Sequence, residues 1–135
     1  MSDWNKAIID EFRANEGKVG GHFAGKPMLL LHTRGAKTGL ERVSPVMTFV
    51  EGERYVIVAS KGGAPADPDW YRNILANPDV EVEFGTERFP AVAAVTTEPE
   101  RTRLYEQMES MNPGFADYKS KTTRVIPVLT LTRQS

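Results

Sequence analysis

Hydrophobic positions in this chain fall into short apolar or alternating segments, which predict β-strands. Turn-forming residues separate six of them: 28–33, 42–50, 55–60, 80–84, 88–96 and the closing "RVIPVLTL". In the second segment, alternation divides the side chains between two faces, with Arg42, Ser44, Val46 and Thr48 on one and Val43, Pro45, Met47 and Phe49 on the other. In the fourth, Glu81 and Glu83 are expected to face water.

Helical spacing predicts three helices. Trp4, Ile8 and Phe12 define the first, over about residues 4–16, with Asp3 as a plausible N-cap and Gly17 as its stop. The second begins at Asp67 with Pro68 in its first position and ends before Pro78. The third has capping-box spacing at its start and an apolar face, formed by Thr97 and Glu100, then Leu104, Met108 and Met111.

The order of these elements is helix, three strands, helix, two strands, helix, strand. Strands joined by short turns pair antiparallel, and six short strands can close into a barrel. The strict alternation of strand and helix that defines a doubly wound fold is missing. We therefore expect a mainly β fold with peripheral helices (α+β), a single domain over residues 1–135 whose barrel occupies about residues 27–132.

Charge and composition exclude several kinds of function. The formal net charge is -1, which gives no support to a broad nucleic-acid surface. The chain has no cysteine, so disulfides, thiolate metal sites and thiol nucleophiles are excluded. The N-terminal sequence lacks the layout of a signal peptide, and no apolar run approaches the length of a transmembrane span. A cytoplasmic protein is expected, with a peripheral membrane location left open.

A cationic turn separates the first two predicted strands. The stretch "HTRGAKTGLERVSP" places Arg34, Lys37 and Arg42 around two glycines. Backbone N–H groups near Gly35 and Gly39 can form a nest for an anion. A solvated hairpin with cations at its tip is the alternative.

Two further segments attract a functional interpretation. "ASKGGAPADPDW" offers Ser60, Lys61 and two glycines just before a helix N-terminus, where anions are favoured. Taken alone, this segment is better explained as a flexible loop with an ordinary N-cap, but together with the cationic turn it favours a shared phosphate or carboxylate site. In "MNPGFADYKSKTTR", Phe115 and Tyr118 are three residues apart and would share a helix face. They would either cover a flat ligand or pack on the barrel.

No catalytic or metal-binding set of side chains is evident. His22 and His32 share no metal-ligand spacing with carboxylates, and neither a Ser-His-Asp arrangement nor a GxSxG elbow is visible. We expect no metal site. Anion-binding loops and aromatic covers without such a set indicate that a bound cofactor carries the chemistry.

The chain resembles the deazaflavin-dependent nitroreductase family, split β-barrel proteins that bind coenzyme F420. The ordered motifs are "GAKTGLERVSP", "YVIVASKGGAPADPDWYRNILANPDVEV", "MNPGFADYKSKTTR" and "IPVLTL", which span roughly residues 25 to 131. The resemblance implies a six-stranded antiparallel split β-barrel of the FMN-binding-like type. Its cofactor is 8-hydroxy-5-deazaflavin, linked through a ribityl chain and a phosphate to lactate and an oligoglutamate tail.

The resemblance also implies a role for particular residues. Contacts with the phosphate and carboxylates would come from Lys37, Thr38, Arg42 and Lys61. The deazaflavin ring would be lined by Ser44, Pro45 and Val46. Backbone contacts would come from Ser60, Gly62 and Gly63, and the helix beside the site would begin with Trp70 and Tyr71. Tyr118 is the candidate catalytic residue, polarising the acceptor or donating a proton to it.

The implied activity is that of an F420-dependent oxidoreductase, which passes hydride from reduced F420 to an activated alkene, a quinone or a nitro compound. Two departures bear on the substrate. Ala36 stands where a well-known family member has a cation, and Tyr118 alone remains of several tyrosines around that member's substrate pocket, with Phe115 and Lys121 at other places. The alternatives are a non-catalytic F420 carrier or storage protein and an FMN-binding split-barrel protein. A monomer and a homodimer are both left open.

Overall fold

The computed structural model describes residues 3–20, 27–60, 67–122 and 125–134. In these ranges the chain forms four helices and seven strands. The helices are α1 (Asp3–Ala14), α2 (Asp69–Ala76), α3 (Glu100–Met111) and α4 (Gly114–Ser120). The strands are β1 (Met28–Arg34), β2 (Glu41–Met47), β3 (Phe49–Glu51), β4 (Arg54–Val58), β5 (Asp79–Phe84), β6 (Glu87–Val95) and β7 (Val128–Arg133).

All seven strands form one curled antiparallel sheet in the order β2-β1-β5-β6-β7-β4-β3. Its two outermost strands, β2 and β3, are consecutive in the chain and separated only by Thr48. Six strands were expected, and that count is wrong because the single predicted strand 42–50 changes partners at Thr48. Residues before it pair with β1 and residues after it pair with β4.

Thr48 is held in this corner by two hydrogen bonds. Its backbone N–H donates to the Pro27 carbonyl at 3.1 Å, and its buried Oγ1 donates to the Val56 carbonyl at 2.8 Å. The hydroxyl therefore supplies a bond at the position where the backbone ladder is interrupted. The antiparallel, mainly β fold with peripheral helices is confirmed.

Each helix covers its own part of the hydrophobic core. One cluster packs under α2 and contains Leu29, Leu31, Ala59, Trp70, Ile74, Val82 and Leu129. A second packs under α3 and α4 and contains Phe49, Val56, Leu104, Met108, Phe115 and Val128. The third joins α1 to the sheet through Ile8, Ile9, Phe12, Met28 and Leu30. We call these the α2 cluster, the α3 cluster and the α1 cluster.

Helix boundaries agree with the sequence more closely than helix caps do. α2 begins at Asp69 rather than one residue after Asp67, and its N-cap position is Pro68, which makes no side-chain capping bond. The expected capping box of α3 is also wrong, because no side chain caps it from the N-cap position. Instead, Glu98 Oε1 accepts from the Thr102 N–H at 3.0 Å and from its hydroxyl at 2.7 Å.

Gly17 ends the turn after α1 for a steric reason. Its φ is +91°, and a Cβ at this position would lie 2.7 Å from the Gly85 Cα, so no side chain fits there. This close approach brings α1 to the β5–β6 turn. Arg13 of α1 then donates to Glu83 of β5, from Nη2 to Oε2 at 2.7 Å.

Glu83 does not face open water as expected. Its side chain is only 14% exposed and binds His32 Nε2 at 2.6 Å as well as Arg13. The other ring nitrogen of His32 contacts Glu41 Oε1 at 3.2 Å. These contacts lower the pKa of Glu83, chiefly through the hydrogen bond from Arg13 and then through that from His32, against the opposing effect of burial. The alternation of β5 predicted that Glu83 faces solvent, and this prediction is wrong because α1 covers that face of the strand.

Candidate functional site

The cationic turn between β1 and β2 is closed by its own backbone. The Gly35 N–H donates to the Leu40 carbonyl at 2.7 Å, and the Gly39 N–H donates to the Gly35 carbonyl at 2.8 Å. Gly39 has a φ of +70°, which favours glycine. Thr38 Oγ1 accepts from the Leu40 N–H at 3.2 Å, so this hydroxyl helps to shape the turn and keeps its proton available for donation.

Asn73 of α2 fixes this turn to the body of the protein. Its Oδ1 accepts from the Ala36 N–H at 3.0 Å, and its Nδ2 donates to Thr33 Oγ1 at 3.2 Å. Asn73 and Thr33 are both buried, and a buried amide that keeps both partners is costly to remove. The cationic turn and the helix after the glycine-rich segment therefore meet.

Sequence reasoning did not single out Asn73, although a signal existed. Trp70 and Ile74 define the apolar face of α2, and Asn73 lies between them on that face. A polar residue on a buried helix face requires partners, which can be sought in any segment that the helix covers.

Two cations at the turn differ from the other basic residues. Lys37 and Arg42 are exposed, and no carboxylate within the described ranges pairs with either. Arg34 donates to the Gly39 carbonyl at 3.3 Å. By contrast, most arginines that the structure describes form ion pairs, namely Arg13, Arg54, Arg72, Arg88, Arg101, Arg103 and Arg133. Two exposed cations at one turn, without carboxylate partners among the described residues, fit an anionic ligand.

One face of β2 continues from this turn into the α2 cluster. Arg42, Ser44 and Val46 lie opposite Thr33, Leu31 and Leu29 of β1, so the alternation predicted for this strand is confirmed. Val46 and Tyr71 both pack, partly buried, against the α2 cluster. The side chains of Arg42, Ser44 and Val46 therefore form a row that leads from the cationic turn towards α2.

Pro45 lies on the opposite face of β2, together with Val43 and Met47, which pack against the α1 cluster. Its side chain cannot join the row formed by Ser44 and Val46. The three residues still share one backbone edge of β2, because among the described strands β2 pairs with β1 alone. Proline is tolerated on such an edge, since it has no N–H to donate.

The predicted residues of α2 occupy different environments. Trp70 is 8% exposed and belongs to the α2 cluster, so most of its ring packs in the core. Tyr71 is half-buried, and burial together with the nearby Asp67 carboxylate raises its pKa. Tyr71 thus keeps a neutral hydroxyl at the edge of the α2 cluster.

Ser60 is buried and follows Ala59, which is part of the α2 cluster. The end of β4 therefore reaches the same core as Val46 and Trp70. Lys61, Gly62 and Gly63, the remaining predicted residues of this segment, lie outside the described residues.

The two aromatic residues of α4, Phe115 and Tyr118, differ in how deeply they are buried. Phe115 is 4% exposed within the α3 cluster, and its carbonyl accepts from the Tyr105 hydroxyl at 2.5 Å. Tyr118 is only partly buried, with its ring centroid 5.1 Å from that of Phe115. Packing on the barrel accounts for Phe115, and Tyr118 retains access to solvent.

Other features of the described ranges do not compete with this site. A groove of about 400 Å³ is lined by Val50, Tyr55 and Arg133 near the β3–β4 turn, at the end of β4 away from Ser60, and includes none of the predicted residues. Within the same ranges, no group of three histidine or acidic residues is arranged to hold a metal ion. None of the helices that the structure describes is long and apolar enough to cross a membrane.

Comparison with known proteins identifies the family of this chain. The sequence profile of a family described as F420H(2)-dependent quinone reductase matches residues 4–133. An F420H(2)-dependent quinone reductase from Mycobacterium tuberculosis (strain ATCC 25618 / H37Rv) is 42% identical over 127 residues, which cover 91% of this chain and 85% of that protein.

Solved structures agree with the sequence relatives. An F420-H2 dependent reductase, FDR-A, is 39% identical with a TM-score of 0.72, and the match covers 83% of this chain and 99% of that one. A second structure, described as a domain-swapped dimer, is 36% identical with a TM-score of 0.73, and the match covers 96% of this chain and 97% of that one. The matches to these two structures cover most of this chain.

Proposed function

This chain belongs to the F420H(2)-dependent quinone reductase family, an enzyme family whose cofactor is F420. We propose that it reduces a quinone and that the cofactor binds along β2 and α2. Membership makes the protein an F420-dependent reductase and rules against both the FMN-binding and the carrier alternatives. The quinone acceptor and the residues of the site are the proposed part. Activated alkenes and nitro compounds are comparison substrates.

The observation that carries the proposal is a pair of cations, Lys37 and Arg42, at a turn held by Asn73. Neither cation has a carboxylate partner in the part of the chain that the structure describes. Phosphate and carboxylate groups on the cofactor would supply the missing counter-charges. The residues proposed to bind these anionic groups are Lys37, Thr38, Arg42 and Lys61.

The ring-binding part of the proposal rests on the row of side chains along β2. Ser44 and Val46 would contact the deazaflavin ring through their side chains, and Pro45 through the backbone edge of the strand. Backbone groups of Ser60, Gly62 and Gly63 would complete the contacts, with Trp70 and Tyr71 closing the side formed by α2. The packed α2 cluster beneath excludes water from that side of the ring.

When bound, reduced F420 supplies a hydride, which is the chemistry that this chain's side chains lack. The protein's task is to orient the acceptor and to provide a proton. Tyr118 has a partly exposed hydroxyl that accepts or donates no hydrogen bond within the described ranges, so it is proposed to polarise the acceptor or to donate a proton to it.

A titration with oxidised F420, followed by its fluorescence, tests cofactor binding, with FMN as the matched control. Reduced F420 is then mixed with menadione, cyclohexenone or a nitroimidazole in the presence of the protein. We expect F420 to bind more tightly than FMN and menadione to be reduced fastest. Tight binding of F420 with no reduction of any quinone would contradict the proposed acceptor.

The assembly state is proposed to be a homodimer, which the domain-swapped dimer among similar structures supports. Sedimentation velocity at several protein concentrations measures it. A monomer at all concentrations, with full activity, would contradict the proposal.

A further inference from the structure

Arg34 and Glu41 are directly opposite each other where β1 and β2 meet the cationic turn, yet they do not pair. Opposite charges at facing strand positions attract and ordinarily interact. Here Arg34 Nη1 donates instead to the Gly39 carbonyl at 3.3 Å, and Glu41 Oε1 lies 3.2 Å from His32 Nδ1. The side chain of Glu41 is thus diverted from the arginine opposite it to a histidine further along β1.

His32 is well fixed for holding this carboxylate. The residue is 4% exposed, and its Nε2 lies 2.6 Å from Glu83 Oε2, while Glu83 is itself bound by Arg13 of α1. Ionised carboxylates accept hydrogen bonds and donate none, so each contact uses an N–H of the ring and both together require a protonated ring. The bond to Glu83 sets the orientation of the ring, which directs Nδ1 to Glu41.

Glu41 is the residue whose position matters for the turn. It is the only acidic residue in the stretch 32–45, and it directly precedes Arg42. Its side chain is 54% exposed, and His32 supplies the ion-pair contact that it makes within the described ranges. A Glu41 carboxylate released from His32 would face Arg34 and offset positive charge on which anion binding at the turn depends.

We propose that His32 is a positioning residue of the cofactor site, which holds Glu41 away from Arg34 and so keeps the positive charge of the turn available to the phosphate and carboxylates of F420. This inference rests on the proposed function. His32 needs no contact with the cofactor, because it acts through Glu41. Through Glu83 and Arg13 it also makes the charge of the turn depend on the docking of α1.

Two substitutions of His32 separate its two contacts. His32→Gln places an amide N–H near the position of Nε2, so it keeps a donor for Glu83 and loses the donor to Glu41. His32→Asn places its amide near Nδ1 and does the opposite. Both remove the charge of the ring, so a difference between them reports the contact with Glu41.

Fluorescence titration with oxidised F420 measures the dissociation constant, at a pH where NMR of the ring shows wild-type His32 to be protonated. We expect His32→Gln to raise it about two- to fivefold, the effect of an exposed ion pair that competes with the ligand. His32→Asn should retain most of the affinity that His32→Gln loses. Thermal melts of both variants establish that they fold.

A double-mutant cycle with Glu41→Gln distinguishes positioning from a structural role. If His32 acts through Glu41, His32→Gln should have little further effect on F420 affinity once Glu41 has lost its charge. A loss caused by damage to the fold would persist in that background. Glu81→Gln is the matched control, because Glu81 belongs to the neighbouring strand β5 and already pairs with Arg88. It should leave the effect of His32→Gln intact.

A crystal structure of His32→Gln without cofactor provides a measurement independent of F420, and we expect it to show Glu41 paired with Arg34. The inference would be overturned if Glu41 remained beside residue 32, if His32→Gln and His32→Asn lost affinity equally, or if Glu41→Gln left the loss unchanged. A wild-type ring that is neutral wherever F420 binds would overturn it as well. Failure of the wild-type protein to bind F420 would instead overturn the proposed function.

Discussion

Asn73 and Thr33, which are 40 positions apart in the sequence, are joined by a hydrogen bond from Nδ2 to Oγ1 at 3.2 Å. Because the same amide also accepts from the Ala36 N–H, it ties the start of the cationic turn to both α2 and β1. Asn73 thereby fixes the orientation of the turn, while the exposed cations of the turn remain accessible to a ligand.

Asn73→Ala should weaken F420 binding even though we assign Asn73 no contact with the cofactor. The variant leaves the buried Thr33 hydroxyl without its donor, a loss of about 1–3 kcal/mol for an unsatisfied buried group, and frees the Ala36 N–H, which releases the turn. Fluorescence titration should show a dissociation constant raised about tenfold or more. Asn77→Ala is the control, because Asn77 occupies the C-cap position of α2 and its Oδ1 accepts from the Asp79 N–H of β5 rather than from the cationic turn. Equal losses of affinity in the two variants would contradict a specific role for Asn73.

Arg42→Ala and Lys37→Ala should each weaken F420 binding, by more as the oligoglutamate tail lengthens. A charge-assisted hydrogen bond is worth roughly 1.5–3 kcal/mol, which is about ten- to a hundred-fold in the dissociation constant. Arg88→Ala removes the same charge from an arginine that already pairs with Glu81, and it should have little effect. Binding should also weaken with added salt in the wild-type protein. Equal effects of all three substitutions would indicate a response to net charge alone.

Tyr118→Phe should separate catalysis from cofactor binding. The ring keeps its contact with Phe115 and loses only the hydroxyl, so the F420 dissociation constant and the thermal midpoint should change little. Turnover with menadione should fall by about 10²–10⁴-fold, the usual contribution of a positioned acid. Stopped-flow oxidation of reduced F420 measures this step. Loss of F420 affinity together with turnover would place the hydroxyl on the cofactor instead.

Glu51→Gln should lower the thermal midpoint near neutral pH and lose its effect in acid. The Arg103 guanidinium, followed by that of Arg54, lowers the pKa of Glu51 from 4.5 to about 2. A folded-state pKa below the unfolded one means that the stabilisation is complete above about pH 4.5 and is lost as the pH falls through about 2. Thermal melts from pH 7 to pH 2 should show the two proteins converging in acid.

Glu106→Gln is the control for that series, since it removes one carboxylate from an exposed position on α3. Its difference from the wild-type protein should remain small at every pH. A constant difference between Glu51→Gln and the wild-type protein across the whole range would contradict the role of the two arginines.

Local sequence patterns predicted the helices, strands and turns well, because these elements depend mainly on interactions between residues close together in the chain. Alternation in residues 42–47 assigned these side chains of β2 to their observed faces, and Pro68 and Pro78 bounded the segment that forms α2. The turn residues around Gly39 also indicated the correct reversal, because few residues other than glycine adopt its positive φ.

Apart from the two helix caps, the errors concern relations between segments that are distant in the chain. Alternation left Glu83 in solvent because nothing local indicates that Arg13 of α1 covers it. The strand count failed at Thr48, where the change of partner depends on β1 and β4 rather than on the threonine itself. Asn73 was missed for the same reason, since its importance comes from Thr33 and Ala36. The predicted roles of Tyr118 and of the cofactor-binding residues remain predictions.

The place of β7 in the sheet has a consequence for how the chain folds. β7 is the last strand in chain order, yet it lies in the interior of the sheet, paired with β6 on one side and with β4 on the other. Until Val128–Arg133 docks, these two neighbours both present unpaired backbone edges, which are sites where separate chains associate. The interval before β7 docks is therefore one in which β4 and β6 can each pair with another chain instead.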